Sequence, residues 1–165
     1  MTDIRSEADL QTIMERAARN AINSATKEIL SLFREEYIMK YVYQSHDPNK
    51  RYHADTRKPT YEFKNAWDWT GIEKRINMLV TELWYNSSNM DYSEKTMKHG
   101  SKYSSPNDVT GNLADILNKR GLSSSLWLSV NREPYWDIFI EKVFSGGELD
   151  RILSRHFAAN GFIKT

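Results

Sequence analysis

The sequence predicts an α+β fold: a long N-terminal amphipathic helix packed on a small antiparallel sheet, with short C-terminal helices. Three observations carry that reading. Apolar residues recur at helical spacing from residue 7 onward, with no glycine or proline before Pro48. A central stretch rich in aromatic and branched residues, 61–86, alternates in places and is bounded by turn formers. Two further helical patterns, each closed by glycine, fill the C-terminal end. The order helix, strands, helices suits a single α+β domain over residues 1–165. A chain of this length buries a core without disulfides or metal.

Residues 1–5 read as a flexible start. Ser6 followed by Asp9 resembles a capping box with the shorter acid. Leu10, Ile13, Met14, Ala17, Ala18, Ala21, Ile22 and Ala25 then make one apolar face. Glu15 and Arg19 stand four apart in the favourable order for an ion pair. From Ile29 the stripe drifts, and YIMKYVY, Tyr37 to Tyr43, is apolar on nearly every side. The helix is expected to run on to about Val42. From Glu7 that is roughly 54 Å at 1.5 Å per residue, whereas a globule of this size is about 40 Å across. A continuous helix therefore overhangs its own domain, and apolar side chains on the overhang need another chain to cover them. A break near Ser31 or Tyr37 would instead fold everything into one globule.

Residues 44–59 carry two prolines and many turn formers and read as a long exposed loop. Thr60 suits the cap of a short helix bearing Tyr61, Phe63, Ala66 and Trp67, although the alternation of Tyr61 with Phe63 equally begins a strand. Gly71 turns the chain, and the second half of Ile72 to Asn86 reads as a strand of an antiparallel sheet. A second long exposed loop covers 87–106. Asn107 or Asp108 then caps a helix with Val109, Leu113, Ile116 and Leu117 inward and Gly121 at its end. SLWLSVN suits a short strand. Pro134 fits the first turn of a helix carrying Tyr135, Trp136, Ile138, Phe139, Val143 and Phe144, stopped by Gly146 and Gly147. A last helix, Glu148 to Ala159, turns Leu149, Ile152, Leu153 and Phe157 inward and ends at Asn160-Gly161.

Composition narrows the function. With 23 basic and 22 acidic residues the net charge is +1, so the molecule as a whole exerts no long-range pull on phosphate backbones. The absence of cysteine excludes disulfides, thiolate chemistry and sulfur-ligated zinc. MTDIRSEADL lacks the pattern of a signal peptide, and no apolar run approaches the roughly 20 residues of a membrane helix. The expectation is a soluble protein made in the cytoplasm. Aromatic residues form 12% of an otherwise polar chain, and such chains often place rings at contacts between molecules.

Reactive constellations are hard to find. His46 and His53 sit with Asp47 and Asp55 in the first loop, where at best a weak metal site would gather. His99 and Ser101 lack an orienting acid or an oxyanion loop, and a turn explains them more simply. His156 lies on the last helix. The glycines of SGGELD, before a helix start, have a geometry able to hold phosphate, but the phosphate-loop lysine is missing and a turn between helices suffices. No catalytic, cofactor or metal residues are expected, and the chain reads as a non-enzyme.

The stretch RKPTYEFKNAWDW is the most pointed feature. Residues 49–64 hold five basic and two acidic side chains, with Tyr52, Tyr61 and Phe63 close by. Bases stack on such rings beside cations, so a nucleic-acid module using 49–69 is the alternative reading, although neither a second basic element nor a recognition helix accompanies it. The more economical reading makes the rings a hydrophobic anchor, in a core or at an interface, with the charges on its rim.

The long N-terminal helix, the aromatic segment Thr60-Tyr61-Glu62-Phe63-Lys64-Asn65-Ala66-Trp67, the strands, and the C-terminal helices ending in HFAANGFIK together resemble the tail-completion proteins of bacteriophages, which join head to tail. HGSKYSSPNDVTGNLADILNKRG is similar to the same group, with a histidine-glycine turn leading to a short helix. Where many members place an Arg-Thr-Gly turn, this chain has Lys58-Pro59-Thr60. The resemblance implies a non-enzymatic component of the virion neck, without cofactor. It further implies a ring with itself, commonly six copies, in contact with portal or adaptor and tail-tube proteins. On that reading Leu32, Phe33, Tyr37, Tyr41, Tyr61, Phe63, Trp67 and Trp69 supply contacts between subunits. Replacing Trp67 and Trp69 by alanine is then expected to weaken assembly without unfolding the monomer.

Overall fold

The computed structural model describes residues 6–43, 62–89, 114, 115, 118 and 134–162. The expectations placed on 1–5, 44–61, most of the second loop, most of the helix after Asn107, and SLWLSVN lie outside the described residues.

Helix α1, Glu7–Leu32, opens where the sequence places it. Ser6 is extended and its Oγ accepts the Asp9 amide at 3.1 Å while donating to the Asp9 carboxylate at 2.9 Å. The two groups cap each other, which satisfies an amide that has no partner within the helix. No break follows at Ser31 or Tyr37. The helix widens instead, and Phe33–Tyr43 continues it with π-type i→i+5 bonding.

That widening accounts for the drifting stripe. Phe33, Tyr37, Ile38 and Val42 are all buried. At about 100° per residue Val42 would lie opposite Phe33. With about 4.4 residues per turn, as wider i→i+5 turns give, all four fall within roughly 80° of one another. The apolar excess of YIMKYVY is thus a stripe with a longer period, and Glu36 and Lys40 remain exposed beside it.

Helix α2, Glu62–Asn65, is a single turn bearing Phe63, and strand β1, Trp67–Trp69, follows directly. Strands β2 (Glu73–Arg75), β3 (Met78–Val80) and β4 (Leu83–Tyr85) complete one irregular hairpin. Antiparallel pairs β1–β4 and β2–β3 are nested, with Trp67 opposite Tyr85 and Arg75 opposite Met78. At the waist between them the Thr70 amide donates to the Glu82 carbonyl at 2.8 Å, and the Glu82 amide donates to Thr70 Oγ1 at 2.9 Å. Gly71 lies in this waist. The reversal expected there falls at Ile76 and Asn77 instead.

Near the C-terminus, Pro134 precedes helix α3, Tyr135–Phe139, which also passes into π-type bonding over Ile140–Ser145. Gly146 and Gly147 end it. A Cβ at Gly146 would run into the Lys142 carbonyl, and Gly147 has φ of +82°, so two different constraints ask for glycine. Helix α4, Glu148–Ala159, has the predicted bounds and buries Ile152 against α1.

The core gathers where the wide turn of the first helix meets α2, β1 and α3. Phe33 is its centre: ring centroids lie 4.5 Å from Phe139, 4.9 Å from Trp67 and 5.6 Å from Trp136. Trp67 and Trp136 stack at 5.3 Å. Rings bury more apolar surface per residue than aliphatic side chains do, which lets a polar chain hold a stable centre.

Candidate self-association surface

The structure redistributes the residues expected at a subunit contact. Phe33, Tyr37, Phe63 and Trp67 are buried in the chain's own core, and Leu32, Tyr41 and Trp69 are half-buried against it. Tyr61 lies outside the described residues. The burial has a physical cause: the wide turn carries Phe33 and Tyr37 to the same side as Ile38, where α3 and the aromatic segment close over them. Of the basic side chains in RKPTYEFKNAWDW, Lys64 pairs with Glu35 at 3.1 Å, while Arg57 and Lys58 lie outside the described residues. On the first helix, Arg34 donates to the Trp67 carbonyl. Neither Phe63 nor Trp67 has a free face on which a base would stack.

His156 is tied to α1. Its Nε2 lies 2.8 Å from Glu28 Oε2, and Arg155 pairs with the other oxygen of the same carboxylate. The Arg155 hydrogen bond first, then that of His156, holds the Glu28 carboxyl below its ordinary range. At the far end of α4, burial first, then the charges of Tyr41 and Glu148, pushes the Tyr37 phenol up. Residues 148 to 156 thus run past 37 to 28, and α4 is antiparallel to the first helix.

That register determines what is covered. With His156 beside Glu28, equal rises of about 1.5 Å per residue put Ala159 beside Ala25. There α4 stops: Gly161 has φ of +89°, the Phe162 amide donates to the Phe157 carbonyl at 3.0 Å, and the two rings meet at 5.2 Å. The chain doubles back on α4 rather than continuing along α1. The apolar stripe of α1 nevertheless runs on past this point: Ala21 is still fully buried and Ala17 and Ile13 are half-buried, but at the end of the stripe Leu10 and Met14 are 43% and 50% exposed.

The other side of this overhang carries the hairpin. Lys74 pairs with Glu15, and Arg19 bonds both Glu15 at 2.9 Å and the Ile72 carbonyl at 3.0 Å. The Lys74 hydrogen bond first, then that of Arg19, lowers the Glu15 carboxyl. Beyond these ties the hairpin tip projects freely, with Ile76 90% and Met78 64% exposed. Ile76 also has φ of +53°. The left-handed region is uncommon for any L-residue and an outlier for a branched one.

Leu10 and Met14 lie on the apolar face expected from their spacing, but the uncovered end of the helix is this one and not the Leu32–Tyr43 end expected to meet neighbouring subunits. Ile76 was missed, because Ile-Asn is not a hairpin signal. Among the described residues no three His, Asp or Glu side chains gather as a metal site, and no helix is long and apolar enough to cross a membrane. Comparison with family models, curated proteins and solved structures finds no match.

Proposed function

We propose that this chain is a non-enzymatic structural protein of a phage virion, a tail-completion or neck component that joins portal or adaptor to tail as a ring. The observation that supports it best is the overhang: a helix stripe extending past the helix that covers it, with Leu10 and Met14 left to solvent. Apolar surface of that kind is characteristic of parts completed by other chains. The aromatic segment serves a different purpose from the one the resemblance implies, since it builds the core from which the overhang projects. Contacts to copies of itself therefore lie on the overhang and the hairpin tip, and the neighbouring virion proteins meet other faces.

Electron microscopy of phage particles carrying a tag on this chain tests the reading. Density for the tag in a ring at the neck is the expected result. Tag density absent from particles, or spread along the tail or capsid, would refute it.

A further inference from the structure

Two apolar surfaces lie at the same end of the molecule and face different ways. Around α1, Glu15 and Arg19 hold the hairpin. Leu10, Met14 and Ala17 cluster roughly 150° away on a wheel of about 100° per residue. One surface is a stripe along a helix; the other is a knob, Ile76 with Met78, at the end of a hairpin. We infer that the partner of both is a second copy of this chain: the Ile76–Met78 knob of one copy seats on the Leu10–Met14–Ala17 stripe of the next. This deepens the ring reading above and rests on it.

Three features favour a second copy. The stripe is continuous with the face that α4 already covers, so an apolar body laid beyond Ala159 extends an existing packing arrangement. Knob and stripe together expose four large apolar side chains, Ile76, Met78, Leu10 and Met14, a surface on the order of a few hundred Å². A specific interface buries at least about 1,000 Å², a little over half of it apolar, so one knob on one stripe with a polar rim approaches that size. Finally, the isoleucine has no reason of its own to be at position 76. Asparagine or glycine would occupy φ of +53° with less strain, and the side chain packs on little within its own molecule. Contact with a neighbour supplies the reason that local stability does not.

Where each knob seats on a different neighbour, the contact is heterologous and closes into a ring or propagates as a filament. Reciprocal exchange of knobs between two copies would instead close a two-fold dimer. The ring reading requires the first, and sedimentation distinguishes them by mass. The rim of the knob is polar, with Arg75 paired to Glu73 and Glu82 beside it.

The chain contains no cysteine, which makes cross-linking clean. Met14→Cys and Ile76→Cys proteins are mixed at high concentration and mildly oxidised. The mixed 14–76 disulfide is expected to exceed the 14–14 and 76–76 products severalfold. Dominance of 14–14 or 76–76 product would overturn the head-to-tail arrangement, as would equal yields of all three. In parallel, Met14→Glu and Ile76→Asn are compared with wild type by sedimentation velocity and far-UV circular dichroism. Both should lose the larger species while keeping the helical spectrum. A wild type that forms rings unaffected by either substitution sinks this surface and leaves the ring reading in place. A wild type that is monomeric at every concentration removes both.

Discussion

Replacing Trp67 by alanine should unfold the protein more readily before it affects anything else. The indole is 6% exposed and touches the rings of Phe33, Phe63, Tyr85, Tyr135 and Trp136. Burying a ring of about 200 Å² at about 25 cal/mol per Å² contributes roughly 5 kcal/mol as an upper estimate. Large-to-alanine changes at aromatic core sites cost about 3–5 kcal/mol. A domain with total stability of about 5–15 kcal/mol cannot lose that much quietly. In urea, with an m-value near 2 kcal/mol per molar, the midpoint should fall by roughly 2 M. Trp69→Ala, at a half-buried ring on the same strand, should cost about 1–2 kcal/mol. The assay is urea denaturation followed by far-UV circular dichroism, because tryptophan fluorescence changes with the substitution itself. A Trp67→Ala protein whose midpoint is unchanged, and which loses only its ability to assemble, would refute the core assignment and restore the interface one.

Other consequences follow from the same packing. The Glu28 carboxyl is lowered in the folded state, so its contribution is fully present above the unfolded carboxylate range, near pH 4.3, and is lost as pH falls through the folded value. Being about one-third exposed, the clasp should contribute less than about 1 kcal/mol, and Glu28→Gln should flatten the acid limb of stability measured by thermal melting between pH 3 and 7. Gly146→Ala forces a Cβ against the Lys142 carbonyl and should cost more than Gly147→Ala, whose positive φ carries about 1 kcal/mol; equal melting temperatures for the two would count against the turn geometry. Ile76→Asn should stabilise the monomer by about 1 kcal/mol through relief of the left-handed strain, and a lower urea midpoint would contradict that.

Several elements could be read from the chain because their signals are local. Ser6 with Asp9, the glycines at 146 and 147, and the Asn160-Gly161 stop fixed the helix ends they adjoin, since caps and left-handed turns depend on residues within one turn. The wide turn at 33–43 was harder. Its apolar residues obey a period that helix templates do not contain, so an ordered face looked like uniform hydrophobicity. The aromatic segment was ambiguous for a different reason: buried core and subunit interface have nearly the same composition, and only the coordinates of Phe33, Phe139 and Trp136 decide where Phe63 and Trp67 go. The hairpin reversal at Ile76 carried no signal, because a branched residue at positive φ runs against every turn rule. Where a sequence departs from local preference, function is a reasonable place to look.

A ring requires that sister copies complete the overhang. The most direct measurement is the solution mass of the full-length chain, by light scattering over a wide concentration range, for wild type and for Met14→Glu. The prediction is a wild type that rises to a multiple of the protomer mass and a variant that remains at one protomer throughout. Identical single-protomer masses for both, up to the highest concentration reached, would contradict it.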